Sequence, residues 1–518
     1  YQCLDLYFNE SRACDNDGDG FWLRQSYECT ISNSTLGNNN QYGAGLLDST
    51  NCLIESSQIS GNWDRGSLTY CNGCNVTDNH LPDNDCLGIE LYESSNCGIE
   101  NNYFEDNRLE GIRIYRSESC SVIQNRFSGN GIRLYQSQNS VVSRNTLSHG
   151  GLTLTAHDID NALHQVDNNL VNGKKLGYIS NAQDMTIDGE TYGQIIFVNF
   201  NHIRLRNGEF RETSVGCTIA FSEYCHVYSS VASDNSRQGF LLQDSRECTL
   251  ENTIAASNDE NGYYLLNTVG GRLLNNTADD NHHSGFRIRQ TEDSMFRFNI
   301  AKRNSLAGFF LSYSNNHTLA DNRAFFNDYG GFRLASCESC QVIDNTGNEN
   351  MRDGFDLYDT VRSMFFRNTA SNNFENGFLV DDCISCIFQE NLVEYNEEIG
   401  IQLREGSSNN SIIGNVIRFN GQNAEDNGTI NSWYTSRGVG NIWGDYNGSR
   451  YYMIPGSAGS IDRYPQIYSR VSRTISAVVI ILVLLALCAV IVIIKREIED
   501  YYARSSEEIN SRLKKHRQ

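Results

Sequence analysis

A glycine followed by an apolar residue recurs every 23 residues from Gly216 to Gly400 without a slip. The series is Gly216, Gly239, Gly262, Gly285, Gly308, Gly331, Gly354, Gly377 and Gly400. A unit this short cannot build its own core, so each unit must bury its apolar face against its neighbours. After the glycine stand Phe240, Tyr263, Phe286, Phe309, Phe332, Phe355, Phe378 and Ile401; two residues further come Leu242, Leu265, Ile288, Leu311, Leu334, Leu357, Val380 and Leu403. Apolar residues at alternating positions read as a strand with one buried face. The intervening Asn, Asp, Ser and Gly are turn formers, and no window of the repeats sustains a helical period. Two or three short strands per unit, each pairing with its copy in the next, make an all-β parallel β-helix. The 43 glycines and only 3 prolines among 518 residues agree, since proline cannot donate to a ladder.

Two asparagine series support the register. Nineteen residues after the glycine stand Asn39, Asn62, Asn107, Asn130, Asn235, Asn258, Asn281, Asn304, Asn327, Asn350, Asn373 and Asn396; fourteen after it stand Asn102, Asn125, Asn145, Asn276, Asn299, Asn322, Asn345, Asn368 and Asn391. Asparagine tolerates left-handed turns and hydrogen-bonds to its own copy one coil away. The frame reaches back through Gly20, Gly43, Gly66, Gly88, Gly111 and Gly131 and breaks between Gly151 and Gly216. Strand-like stretches persist there (Gly177–Ile179, Met185–Ile187, Ile195–Val198, Ile203–Leu205), so irregular coils of the same stack are expected. About eighteen coils at roughly 4.8 Å each predict a rod roughly 85 Å long.

The expected organisation is a lead-in or cap over 1–19, the β-helix over 20–430, a cap over 431–466 and a stalk over 467–474. One transmembrane helix over 475–494 and a cytoplasmic tail over 495–518 complete it. Residues 475–494 contain no charge and are long enough to span a bilayer. Lys495 and Arg496 follow at once, which favours a cytoplasmic C-terminus and an exterior N-terminal part. The sequons at Asn9, Asn33, Asn75, Asn275, Asn316, Asn409, Asn427 and Asn447 all precede the span, as an exterior glycoprotein requires, although so Asn-rich a chain produces some by composition. The chain begins at Tyr1 with no signal sequence, and export points to a processed or truncated start. Net charge is −22 overall and about −24 before the span, which argues against nucleic acid and dense polyanions as partners.

Several apparent signals for chemistry fall on the repeat frame. Eight of the 17 cysteines (Cys29, Cys52, Cys97, Cys120, Cys225, Cys248, Cys340 and Cys386) stand nine residues after their glycine. A small buried stacked residue explains them; disulfides between neighbouring coils are the alternative. Asp15, Asp17 and Asp19, with Gly20, resemble the start of a calcium loop, but Ser26 stands where a bidentate Glu is expected and Gly20 is the first repeat glycine. On outward strand positions Tyr92, Tyr115 and Tyr135 fall in successive coils beside Glu90, Arg113 and Arg133. That ladder suits sugar rings, and it also serves simply to stabilise a parallel sheet. Arg287, Arg333, Asp356 and Arg404 are expected further along the same face.

The Gly-Phe-x-Leu coil, the central Asn172-Gly173-Lys174-Lys175-Leu176 with Ile187-Asp188-Gly189, and the end segment from Asn441-Ile442-Trp443-Gly444-Asp445-Tyr446 to Tyr464-Pro465 resemble NosD-like right-handed β-helix proteins, of the carbohydrate-binding and sugar-hydrolase repeat group. The end segment is similar to the terminal cap of archaeal cell-surface members. The resemblance implies a right-handed helix and, from the family name, copper handling. Five Met and ten scattered His offer that metal little, and no catalytic residue carries over. The sequence thus points to a membrane-anchored surface protein with a non-catalytic binding or structural role and no cofactor. Its expected partners are extracellular glycans or neighbouring surface proteins. A polysaccharide lyase, epimerase or hydrolase and a copper-binding accessory protein are the alternatives.

Overall fold

The computed structural model describes residues 3–64 and 66–468. The expected membrane span and tail, and the stalk beyond Tyr468, lie outside the described residues. Among those described, no helix is long and apolar enough to cross a membrane, and the one helical element is the 3₁₀ turn Gly189–Thr191.

The chain is a parallel β-solenoid with a reversal in its middle. In the first stack each coil gives a four-residue strand such as Ile89–Tyr92 and two three-residue strands such as Gly98–Glu100 and Tyr103–Glu105. The long strands pair into a seven-stranded sheet ending at Leu152–Thr155, and one set of short strands into an eight-stranded sheet. Paired strands already stand at Tyr7–Asn9 and Arg12–Cys14, inside the expected lead-in, because the short strands of a coil precede the next long strand. The second stack repeats the plan in sheets of eleven and twelve strands, which brings the total to about twenty coils, not eighteen.

The interval between Gly151 and Gly216 holds a reversal, where irregular coils were expected. Asn172 and Gly173, both at positive φ (50° and 78°), form a two-residue hairpin that folds Lys174 back against Val171 in antiparallel register. Lys174–Ser180 then pairs in parallel with Tyr192–Val198, and that strand with Cys217–Ala220. The last short-strand sheet of the first stack thereby continues as the long-strand sheet of the second, with direction reversed. Strand Tyr192–Val198 is consequently buried on both sides. Ile196 and Val198 join the core of the first stack, whereas Ile195 and Phe197 join that of the second. Four consecutive apolar residues fit such a two-sided strand. The molecule is two stacks sharing one sheet, with separate cores on its opposite faces.

Gln194, fully buried, locks the junction. Its amide accepts from the Leu152 N–H (2.8 Å) and donates to the Leu152 and Val215 carbonyls (2.7 and 2.8 Å), closing the free edge of the seven-stranded sheet. At the far end Trp433 and Trp443 plug the core, their indole N–H groups donating to buried Asp426 (2.9 Å) and Asp462 (3.0 Å). Ile442–Trp443 and Gln466–Ile467 add the last rungs.

Inside the second stack Phe240, Tyr263, Phe286, Phe309, Phe332, Phe355 and Phe378 stack face to face at 4.5–5.2 Å. The repeat glycine is required by close approach: a Cβ on Gly285 would lie 2.8 Å from the Gly308 carbonyl oxygen and 2.9 Å from the Asn304 amide. The asparagines are buried and bonded in both directions. Asn322 accepts from the backbone and side chain of Asn299 (both 3.0 Å) and donates to the Phe296 carbonyl (2.8 Å) and to Asn345 (2.9 Å). Sixteen described cysteines are free thiols and fourteen are buried, filling small slots along the corners; no disulfide joins neighbouring coils among them.

Asn322→Ala strands the Asn299 amide and the Phe296 carbonyl, so it should destabilise the second stack by about 2–4 kcal/mol, read as a lower midpoint in denaturant. Asp353 stands where other coils carry Asn261 or Asn376, and burial, with repulsion from Asp356 and Glu375, raises its carboxyl to about 7 against the hydrogen bonds from Asn376. A raised acid favours folding while protonated, so this contribution is full below pH ~4 and is lost as pH climbs through about 7. Asp353→Asn should therefore stabilise the protein at pH 8, by up to a few kcal/mol, with the gain vanishing near pH 4 in thermal melts.

Candidate functional site

Strand alternation on the seven-stranded sheet turns Ile89, Leu91, Ile112, Ile114, Ile132 and Leu134 inward and leaves two outward rows. Parallel register places Glu90 beside Arg113 and Arg113 beside Arg133, and likewise Tyr92, Tyr115 and Tyr135. The three rings stack at 5.0 and 4.8 Å, within 4° and 11° of parallel, and Tyr70 extends the row edge-on at 5.8 Å. Each ring covers its neighbour's face, so the ladder presents ring edges and hydroxyls to solvent. The guanidinium carbons of Arg116 and Arg133 sit over Tyr115 and Tyr135 at 5.2 and 5.3 Å.

Beside the ladder the second stack closes over the first, and a cleft of about 350 Å³ opens between them. Its floor is Arg113, Arg133 and Thr153 of the sheet, one wall is the turn Arg108–Glu110, and the other comes from Ser214, Ser236, Arg237 and Glu260 of the second stack. The Ser214 hydroxyl accepts from the Gly151 N–H at 3.0 Å and stands where a Cβ on Gly131 would fall, so glycine here permits the contact. Glu110 is shared by Arg113 (2.8 Å) and Arg133 (3.2 Å); Glu90 lies under Arg113 at 3.8 Å. Arg237 reaches Glu260 at 3.2 Å, and Gln238 also donates to that carboxylate.

Burial would raise the Glu110 carboxyl, but Arg113 and Arg133 outweigh it and hold it below the usual range. Burial and the charge of Arg237 lower Arg133. A carboxylate kept ionised by two guanidiniums donates no proton readily.

The structure therefore brings Glu90, Arg113 and Arg133 together and adds partners that the repeat pattern did not single out. Glu110, Arg237 and Glu260 sit in turns, and only the reversal at Asn172-Gly173 carries the latter two to the sheet. Arg287, Arg333, Asp356 and Arg404 do not continue the tyrosine face, because the long strands of the second stack belong to the shared sheet. There Arg333 pairs with Asp356 (3.3 Å), and Arg287 covers Phe310 (3.7 Å to its ring centre).

Asp15, Asp17 and Asp19 lie at alternate positions of one turn. Each accepts from the next coil, from Asn38 (3.2 Å), Asn40 (3.5 Å) and the Tyr42 N–H (3.2 Å). No group of three or more His, Cys, Asp or Glu gathers for a metal among the described residues. Of the sequon asparagines, Asn9, Asn33, Asn75, Asn275, Asn316, Asn409 and Asn447 are exposed. Asn427 is half-buried and accepts from the Ser457 N–H at 2.8 Å.

The family model for the right handed beta helix region matches residues 4–127, 88–210 and 215–363, and that for periplasmic copper-binding protein (NosD) matches 299–448. Among solved structures, the A-module of the Azotobacter vinelandii mannuronan C-5 epimerase AlgE4 is 17% identical with a TM-score of 0.35, over 74% of this chain and 90% of its own. The periplasmic alginate epimerase AlgG is 13% identical with a TM-score of 0.34, over 69% and 76%. A tailspike protein double mutant of E. coli bacteriophage HK620 is 12% identical with a TM-score of 0.30, over 66% and 68%. No curated protein matches the chain. With its coils matched from residue 4 to 363 and its later coils to the NosD model, the chain belongs to the right-handed β-helix family as a NosD-like repeat protein.

Proposed function

We propose that this protein is a cell-surface binding protein that holds an extracellular glycan against the tyrosine ladder and the adjoining cleft, anchored through residues 475–494. The observation that carries the reading is convergence. Along the coils most outward polar residues form solvated ladders, whereas at the junction Arg108, Arg113, Arg133 and Arg237 line one concavity with Glu110 and Glu260, Glu90 lying beneath Arg113 and the tyrosine row running beside it on the same sheet. Sugar hydroxyls are recognised by such fixed polar groups beside aromatic edges. The ladder spans about 10 Å, the length of two sugar rings.

Grouping Glu90, Arg113 and Arg133 on one outer sheet, with Glu110 in the adjoining turn, also suits the enzymatic alternative, a lyase, epimerase or hydrolase. The ion pairing of Glu110 favours binding over turnover, since its proton is held off by Arg113 and Arg133.

A glycan array probed with the full chain tests both readings. Binding is expected to at least one glycan class, weakened about tenfold or more by Tyr115→Ala, with no change in the bound sugar after prolonged incubation. Cleavage, elimination or epimerisation of the bound glycan would establish the enzymatic reading instead. Absence of any binding, or binding indifferent to Tyr92→Ala, Tyr115→Ala and Tyr135→Ala, would remove the proposal.

A further inference from the structure

From the cleft between the stacks we infer a site for a single anionic group, the carboxylate of an acidic sugar residue, bound by Arg113 and Arg133 of the first stack together with Arg237 of the second. This rests on the glycan reading above and adds the chemical class of the ligand.

Charge is the first support. The protein carries −22 overall, yet the lining of this cleft holds Arg108, Arg113, Arg133 and Arg237 against only Glu110 and Glu260. Glu90, beneath Arg113, still leaves the cations in excess. One carboxylate, Glu110, serves both Arg113 and Arg133, and Arg108 pairs with no carboxylate among the described residues. A positive concavity in an acidic molecule focuses a small anion, while the surrounding negative surface repels a densely charged polymer. The ligand is accordingly a chain whose charges are sparse, or the acidic end of one.

Unused donors are the second. The Nε atoms of Arg113, Arg133 and Arg237 are all buried without a hydrogen-bond partner among the described residues, although these side chains remain partly open to the cleft. Each guanidinium is thus held by its terminal nitrogens alone, and a carboxylate arriving there pairs charge that the protein leaves only partly compensated. The planar fork of arginine matches a carboxylate in two parallel bonds, which an ammonium does not.

The origin of the third arginine supplies specificity. Arg237 belongs to the second stack and reaches the site only through the reversal, so the full arginine set exists where the two stacks meet and nowhere within one stack. Its charge already lowers Arg133. An anion between them relieves that repulsion.

The test uses the full chain in detergent and calorimetry with three probes: a trisaccharide carrying one terminal uronate, its carboxyl-reduced counterpart and inorganic sulfate. The uronate should bind at least tenfold more tightly than the reduced sugar. Arg237→Gln should abolish that preference, the uronate losing far more affinity than the reduced sugar. Arg237→Lys should recover only part, because the charge returns without the fork. Arg133→Gln, checked for an unchanged thermal midpoint, should reproduce the loss from the other stack.

Equal affinity for the two sugars, or a preference unchanged in Arg237→Gln, overturns the anion site and leaves the glycan reading standing. Sulfate bound as tightly as the trisaccharide overturns the assignment to a sugar. Binding of no glycan on the array overturns both.

Discussion

A coil of this solenoid has no interior of its own, and most inward polar groups find a partner one coil away, the asparagines in their own copies. Asparagine meets that demand because its amide carries donors and acceptor on one planar head. In the ladder through Asn299, Asn322 and Asn345 each side chain accepts from the coil before and donates to the coil after, while also closing a backbone carbonyl. A buried amide left without partners costs of order 1–3 kcal/mol, so the ladder tolerates little change of register. The phenylalanine stack, the glycine contacts and the small cysteine slots are all consequences of coils held at that fixed spacing.

The same demand shapes the junction. Reversing the chain leaves the seven-stranded sheet with an open edge, which would pair with any exposed strand it met. Gln194 covers that edge with a side-chain amide that imitates a strand backbone. The site is a by-product of this solution. Building the second core on the other face of the shared sheet brings turns of one stack over the outer face of the other. Residues with no reason to meet within a repeat, Glu110 and Arg237, then line one cleft from opposite walls.

Much of the fold could be read from the period, because strand, turn and ladder positions each recur many times and chance cannot imitate them. The outward rows Glu90, Arg113, Arg133 and Tyr92, Tyr115, Tyr135 were legible for the same reason. The reversal was not, since it happens once. Its signals are nonetheless present: Asn172-Gly173 is the pair most suited to a two-residue hairpin, and Ile195-Ile196-Phe197-Val198 is apolar on both faces, each of which enters a different core. Taking the interval as irregular coils hid the wall formed by Ser214, Arg237 and Glu260. It also misassigned Arg287 and Arg333 to the tyrosine face.

A solenoid of equivalent coils ordinarily offers many equivalent positions to a partner, and so binds with avidity along its length. Here the described residues contain one reversal and therefore one junction. Whatever that concavity takes, it takes once per molecule, with an affinity set by local chemistry and independent of the number of repeats. Lengthening either stack would move the site relative to the ends of the molecule without strengthening it. Avidity toward a polymer would then depend on how densely copies are arrayed, which makes surface concentration, not repeat number, the quantity on which such a protein can be tuned.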